Sequence, residues 1–315
     1  MTHVKYAFYG SGGFAARCLE LLSLWQPPLW IVTAPAKEAG RGRRLSATSV
    51  AAFAADRLEA VPLLESAAVF RDAAVLSRKE ADPVDFSFVI DFGQMIREPI
   101  LEWESAVGCL NIHPSLLPQY RGAAPVQRAL MDGAAETGVT IFKLASGMDA
   151  GPILLQRRLA IEPEDDAGSL LERCARTGVS AFVDYASATP LAAWSFREQD
   201  ESCVTYAAKI SGDEERIDWG GPAGEIVGKI RALSPKPGAW TTVRGKRLRV
   251  MSASIWDGAS PTLSPGELSD SARLPLVATG AGTVLLGLVQ AEGKKIQDAA
   301  QWWNGFRAAK GEFLV

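Results

Sequence analysis

Tyr6-Ala7-Phe8-Tyr9-Gly10-Ser11-Gly12-Gly13-Phe14-Ala15 decides how the first half of this chain folds. Its apolar and aromatic start makes a short strand, and the glycines close that strand in a tight turn. Phe14, Cys18, Leu21 and Leu22 then recur at helical spacing, so a helix follows. Strand, glycine turn and helix open an α/β unit. The same stretch fits the G-x-G-x-x-A pattern of dinucleotide-binding loops. Such a loop needs an acidic residue at the end of the second strand to hold a ribose. That place reads Thr33-Ala34-Pro35-Ala36, so the glycines are read as a structural turn.

The pattern repeats outward from this turn. Trp30-Ile31-Val32-Thr33 and Phe86-Ser87-Phe88-Val89-Ile90 read as buried strands, the second ending at Asp91-Phe92-Gly93. Gly108-Cys109-Leu110 leads into a polar run, and Val139-Thr140-Ile141-Phe142-Lys143 reads as the last strand. Helical stretches fall at 50–58, at 123–131 and, after that last strand, at 167–188. Strands alternating with helices predict a Rossmann-like α/β domain, its mainly parallel sheet covered on both faces. Ligands of such sheets bind beyond the carboxyl ends of the strands, so the Gly10 turn and the polar run after Leu110 line one crevice.

Near Leu191 the alternation fades, and Arg197 to Cys203 is polar enough to read as a linker. Trp240–Val243 and Leu248–Met251 flank Arg244-Gly245-Lys246 as a β-hairpin; Leu276–Thr279 and Thr283–Leu286 make another. A helix at 298–307 follows. Short strands with glycine turns predict an OB-like β-barrel. The expected layout is a catalytic domain over 1–190, a linker over 191–208 and a barrel domain over 209–315.

The chain has 315 residues, room for two cores, with 48% hydrophobic and 22% charged residues, an ordinary globular balance. No apolar run reaches the length of a membrane span; Pro152-Ile153-Leu154-Leu155 is soon broken by Gln156-Arg157-Arg158. Met1-Thr2-His3-Val4-Lys5 lacks the regions of a signal peptide. Cys18, Cys109, Cys174 and Cys203 are far apart and read as reduced thiols of a cytoplasmic protein, with no cluster to bind a metal. A net charge of −3 argues mildly against nucleic-acid binding, yet the charge is uneven. Lys229, Arg231, Lys236, Arg244, Lys246, Arg247 and Arg249 form a run without one acidic residue, and Arg41-Gly42-Arg43-Arg44 is a second basic cluster. Together they are adequate to dock a polyanion.

The polar run reads Asn111-Ile112-His113-Pro114-Ser115-Leu116-Leu117-Pro118-Gln119-Tyr120-Arg121-Gly122. Its composition predicts a rigid loop. The chain has two histidines, and the other, His3, sits in the N-terminal tail, so His113 is the candidate imidazole. Asp149, in Ser146-Gly147-Met148-Asp149-Ala150-Gly151-Pro152, follows a strand of the same sheet and is placed to approach it. Asn, His and Asp together suggest group transfer without a covalent intermediate. Asn111 and His113 donate hydrogen bonds to a developing oxyanion, while Asp149 orients the imidazole and favours its charged form. Ser115, two residues from His113, is badly placed as a nucleophile.

The run from Asn111 to Gly122, followed by Ala123-Ala124-Pro125, resembles the signature of 10-formyltetrahydrofolate-dependent formyltransferases. Gly147-Met148-Asp149-Ala150-Gly151 resembles that family's aspartate motif. Phosphoribosylglycinamide, sugar and methionyl-tRNA members share both motifs. Three more segments are similar to the tRNA-dependent branch: Ala39-Gly40-Arg41-Gly42-Arg43-Arg44-Leu45, then Thr205–Ile210 with Glu215–Trp219, then Ile230–Trp240. The first resembles a basic loop that enters the acceptor stem of the tRNA. One departure stands out. The family's first loop commonly reads Gly-Thr-Pro-Asp-Phe-Ala, where this chain has Gly10-Ser11-Gly12-Gly13-Phe14-Ala15.

The resemblance implies transfer of a formyl group from 10-formyltetrahydrofolate to the α-amine of methionyl initiator tRNA, for translation initiation. It assigns catalysis to Asn111, His113 and Asp149. The folate is expected against the backbone of Ser115, Leu116, Leu117 and Pro118 and near Phe92, Gly93, Gln94 and Met95. Phe14 falls near the methionyl side chain, Arg41, Arg43 and Arg44 at the acceptor stem, and Lys209 near the acceptor end. No metal and no membrane are implied, and the chain is expected to act as a monomer. A sugar-nucleotide N-formyltransferase is the alternative, but an amino sugar needs neither basic cluster. A non-catalytic nucleic-acid-binding protein would have no reason to hold Asn111, His113 and Asp149.

Overall fold

A computed structural model describes residues 4–39, 44–96, 100, 107–258, 263–269, 274–306 and 311–315. The chain forms two compact units: Met1–Gly122 with Thr137–Leu159 and Leu171–Tyr206, and Ala123–Glu136 with Ala160–Leu170 and Ala207–Val315.

In the first unit the chain runs β1 (Tyr6–Gly10), α1 (Gly13–Trp25), β2 (Trp30–Thr33), β3 (Lys37–Ala39), β4 (Arg44–Ser46), α2 (Ser49–Arg57), β5 (Leu63–Glu65), α3 (Ala73–Ala81), β6 (Phe86–Ile90), β7 (Gly108–His113) and β8 (Arg121–Gly122). After α4 (Pro125–Met131), which belongs to the second unit, come β9 (Glu136–Lys143), β10 (Ile153–Ala160) and α5 (Ala167–Ala188). The central sheet has the order β10-β9-β7-β6-β1-β2-β5. Neighbouring strands from β5 to β7 pair parallel, while β9 runs antiparallel to β7.

β1, β2 and β6 are buried along their whole length because both faces of the sheet are covered. Tyr6 and Phe8 face one core with Phe86, Phe88 and Phe182; Ala7 and Tyr9 face the other with Trp30, Val32 and Phe92. Phe88 and Phe182 meet edge to face at 4.8 Å. Leu170, Cys174 and Phe182 keep helical spacing along the buried side of α5. Gly178 lets that helix sit close to the sheet, since a Cβ there would lie 2.8 Å from Ile112 and Val139. Thr48 caps α2 by accepting from Ala51 N–H, and Asp72 caps α3 at Ala74 and Val75.

The strands expected at 30–33 and 86–90 and the helix at 167–188 stand where the sequence put them. Two expectations need correction. Val139–Lys143 is not the last strand of the sheet, because Ile153–Ala160 forms β10 beyond it. Asn111 and His113 are not in a loop. They are the end of β7, where Asn111 pairs with Phe142 and His113 with Thr140. Pairing with β9 satisfies the backbone of this polar stretch and overrides its loop-like composition.

The second unit holds β11 (Tyr206–Ala207) in part, α6 (Ala223–Leu233), β12 (Ala239–Val243), β13 (Lys246–Ile255), β14 (Leu268–Ser269), β15 (Leu276–Ala278), β16 (Thr283–Ala291), β17 (Gln297–Asp298) and α7 (Ala299–Phe306). Its antiparallel sheet, ordered β12-β13-β16-β15-β14 with β17 beside β16, curls as a half-barrel, the OB-like element expected. Irregular pairing near Ser252 bends the long β13. Arg244 (φ 48) and Gly245 (φ 70) make the tight turn of the first predicted hairpin. The core is Trp219, Ile230, Leu248, Val250, Val284, Trp302 and their neighbours. α4 packs here against α6, where Gly228 leaves room for the Leu130 carbonyl.

Candidate active site

Period-two geometry puts Asn111 and His113 on one face of β7, while Leu110 and Ile112 point into the core on the other. β1, β6 and β7 are parallel neighbours, so Gly10, Ile90 and His113 end at the same sheet edge. Asp149 reaches this edge from the turn after β9. Its Oδ2 lies 3.7 Å from His113 Nδ1 and accepts the Gly122 N–H at 2.8 Å. Asp149 holds a left-handed φ of 48° to do so. The structure therefore brings His113 and Asp149 together. The Asn111 side chain stays half-exposed beside them and has no hydrogen-bond partner among the described residues.

His113 is 5% exposed, with its ring edge-on to Phe142 at 6.3 Å. Its Nε2 lies 2.9 Å from the Tyr120 carbonyl. A carbonyl only accepts, so Nε2 carries the proton and Nδ1 is bare in the neutral ring. Burial pushes the imidazole below its ordinary pKa; Asp149 and the Tyr120 carbonyl act the other way and do not overcome it. The expectation that Asp149 leaves the imidazole with a raised pKa is corrected here, because desolvation is the larger effect.

The stretch after His113 is pinned from below. Ser115 is fully buried and its hydroxyl donates to the Gln119 carbonyl at 2.6 Å, which occupies the proton a nucleophile would have to lose. Thr140 Oγ1 donates to Ser115 O and accepts from Leu117 N–H, while the Gln156 amide donates to Leu117 O. Pro118 O accepts from Thr205 N–H, and the Leu117–Pro118 peptide is cis. Leu116 and Pro118 remain half-exposed, so what the stretch presents is mainly backbone.

The second expected folate segment divides. Phe92 is buried against Tyr9, and the Gln94 amide is spent on Ser66 O and Val69 N–H; Gly93 and Met95 stay exposed. Phe14 is half-buried at the start of α1. Lys209 is exposed in the second unit. Arg41 and Arg43 lie outside the described residues, as does the side chain of Arg44. In the basic C-terminal run, Arg231 is held by the carbonyls of Asp165 and Glu162, and Arg244 by Glu312. Arg247 stacks 3.9 Å from the Trp240 ring, leaving Lys246, Arg247 and Arg249 exposed along β13.

Sequence reasoning missed Gln199 and the role of Arg121. Arg121 is 3% exposed, and its guanidinium donates to Gln199 Oε1 and to Glu201. Gln199 is 8% exposed, and its amide donates to the carbonyls of Asp149 at 2.7 Å and Gly151 at 2.8 Å. The stretch expected to be a linker thus holds the backbone of the candidate aspartate. A buried arginine in the signature needs an acceptor, and the nearby Gln199 and Glu201 were the available signal.

The Formyl transferase family model matches residues 21–185, and the model of its C-terminal domain matches 209–307. A curated relative from Jannaschia sp. (strain CCS1), named Methionyl-tRNA formyltransferase, is 36% identical over 99% of this chain and 100% of its own length. Two solved structures share the fold. Methionyl-tRNA formyltransferase from Clostridium thermocellum has a TM-score of 0.57 at 14% identity, covering 82% of this chain and 96% of its own. HypX from Aquifex aeolicus in complex with tetrahydrofolic acid has a TM-score of 0.62 at 16% identity, covering 98% of this chain and 48% of its own. Full-length identity above a third, with both domains matched in order, settles the kinship: the chain belongs to the formyl transferase family, in the branch of the methionyl-tRNA formyltransferases.

Proposed function

We propose that this enzyme transfers the formyl group of 10-formyltetrahydrofolate to the α-amine of methionine on initiator tRNA. The observation that carries the reading is Asn111 and His113 on one face of β7 with Asp149 beside the imidazole. The Asn111 amide is uncommitted and donates to the formyl oxygen as negative charge develops there. The attacking amine nitrogen bonds to the formyl carbon, the bond from that carbon to N10 breaks, and one proton moves from the amine to N10. His113 carries that proton. Its Nε2–H stays on the Tyr120 carbonyl, so the bare Nδ1 receives the proton. The imidazolium formed faces Asp149, which stabilises it, adds a second donor near the oxyanion and then releases the proton to the leaving nitrogen.

The folate lies along the pinned backbone of 115–118, with Gly93 and Met95 exposed near it. Phe14 contacts the methionyl side chain. The tRNA lies along Lys246, Arg247 and Arg249, with Lys209 near its acceptor end, and its binding weakens with salt. Arg41, Arg43 and Arg44 select the acceptor stem. The enzyme works as a cytoplasmic monomer and uses no metal. Formylation assays offering methionyl-tRNA and an amino-sugar nucleotide side by side test the reading. Product from methionyl-tRNA alone is expected; product from the amino sugar alone would overturn it. Arg41→Ala is expected to lower tRNA formylation and leave folate affinity unchanged.

A further inference from the structure

The first loop lacks the proline and aspartate of the pattern it resembles, and the structure shows what occupies the space. Asp91 follows β6, whose Ile90 pairs with Gly10 of β1. Its carbonyl accepts the N–H groups of Ser11 at 3.1 Å and Gly12 at 3.0 Å. Its carboxylate lies against the same turn. A Cβ on Gly12 would sit 1.7 Å from Asp91 Oδ2 and 2.3 Å from Cγ, so a side chain at position 12 would have to displace the Asp91 carboxylate. A Cβ on Gly13, by contrast, would meet nothing within 4 Å. Asp91 adopts a left-handed φ of 42°, a conformation costly for a residue that is not glycine. Desolvation is the larger effect on this carboxylate and leaves its pKa raised, while the nearby amides of Phe14 and Ala15 in the first turn of α1 pull it the other way. Ser11 fixes the other side of the turn, its Oγ accepting from Ala34 N–H and its carbonyl from Ser49 N–H.

We propose that Asp91 is a positioning residue for the acceptor pocket: its carboxylate, reaching across from β6, replaces the loop aspartate missing at Gly13 as the cap of α1 and so fixes Phe14. This rests on the formyl-transfer reading for the pocket that Phe14 lines. A carboxylate at a helix N-terminus satisfies orphan amides and matches the helix dipole. Moving it from the loop to the end of the neighbouring strand keeps a carboxylate at this helix end, and glycine at position 12 leaves the space it occupies.

The test is a double-mutant cycle of Asp91→Ala and Gly13→Asp in the full chain, with Asp91→Asn as the conservative variant. Asp91→Ala is expected to raise KM for methionyl-tRNA about fivefold, the size of one lost cap, with the KM for the folate donor unchanged. Amide exchange at Phe14 and Ala15 is expected to speed up in the same variant. Gly13→Asp added to Asp91→Ala restores both readouts, whereas Gly13→Asp alone crowds two carboxylates onto one helix end and does not improve either. Asp91→Asn, which still accepts hydrogen bonds, keeps most of the wild-type KM. Unchanged exchange at Phe14 and Ala15 in Asp91→Ala, equal rises in both KM values, or no rescue by Gly13→Asp would each overturn the assignment. A wild-type protein inactive on methionyl-tRNA would instead overturn the functional reading, and the exchange arm would still decide the cap.

Discussion

Gln199→Ala removes one side chain that makes four hydrogen bonds. Two are donated to the carbonyls of Asp149 and Gly151, and two are accepted from the Arg121 guanidinium at 3.1 and 2.8 Å. At about 0.5–1.5 kcal/mol net per bond, the loss in stability is about 2–6 kcal/mol, reduced where water enters the gap. The catalytic effect is separate from the stability change. Asp149 sits at a left-handed φ of 48° and its carbonyl loses the bond that fixes the turn. A displacement of its carboxylate by about 1 Å is expected to cost about 100-fold in kcat. Thermal unfolding and steady-state formylation on the same protein check both numbers.

Gln199→Glu separates the two effects. A glutamate keeps the acceptor for Arg121 but has no N–H for the Asp149 and Gly151 carbonyls. It is expected to recover much of the stability and little of the kcat. A Gln199→Ala protein with wild-type kcat, or a Gln199→Glu protein restored in both respects, would refute the claim that this segment positions Asp149.

Asn111→Ala is expected to stay folded, since Asn111 has no hydrogen-bond partner among the described residues, and to lose about 100- to 1000-fold in kcat as an oxyanion donor. His113 is expected to titrate below the ordinary histidine value of about 6.5 in an NMR experiment, and Asp149→Asn to lower it further, because Asp149 is one of the interactions raising it; a rise in Asp149→Asn would refute the assignment. Unfolded His113 binds a proton near pH 6.5 while the folded ring stays neutral, so its contribution to stability is complete above about pH 6.5 and declines as pH falls through the lowered folded value. Denaturant titrations at several pH values, with and without His113→Ala, measure that slope. Gly151→Ala would place a Cβ 1.8 Å from the Lys143 carbonyl, so the Asp149 turn must move; a drop in melting temperature together with lost activity is expected.

What the sequence showed clearly was what burial writes into it. β2 and β6 are short apolar runs with clear ends, and α5 carries a continuous buried stripe, so their bounds were legible. β10 was missed because only its first half is apolar; Gln156 is polar though it turns in to support Leu117 O, and Arg157 and Arg158 are exposed on an edge strand. β5 and α3 are weak signals for the same reason, with few buried positions each. The site was legible as residue types and not as geometry. Asn111, His113 and Asp149 could be named from one line of sequence, but the balance of burial against the Asp149 charge needed three dimensions. Gln199 was invisible because a polar stretch with a glutamine looks the same whether it floats in solvent or supports a buried arginine.

The register between β7 and β9 ties these observations together. His113 pairs with Thr140, and Thr140 Oγ1 bonds Ser115 O and Leu117 N–H, the backbone proposed to cradle the folate. One pair of facing residues therefore carries the imidazole on one strand and the anchor of the donor-binding stretch on the other. A slip of one residue would turn Asn111 and His113 into the core and bring Ile112 to the crevice, removing catalysis and loop support together. The buried Leu110 and Ile112 on the opposite face prevent that slip. Hydrophobic alternation along β7 is thus what fixes the spacing of its polar residues, and the chemistry of this enzyme depends on the same packing that makes the strand.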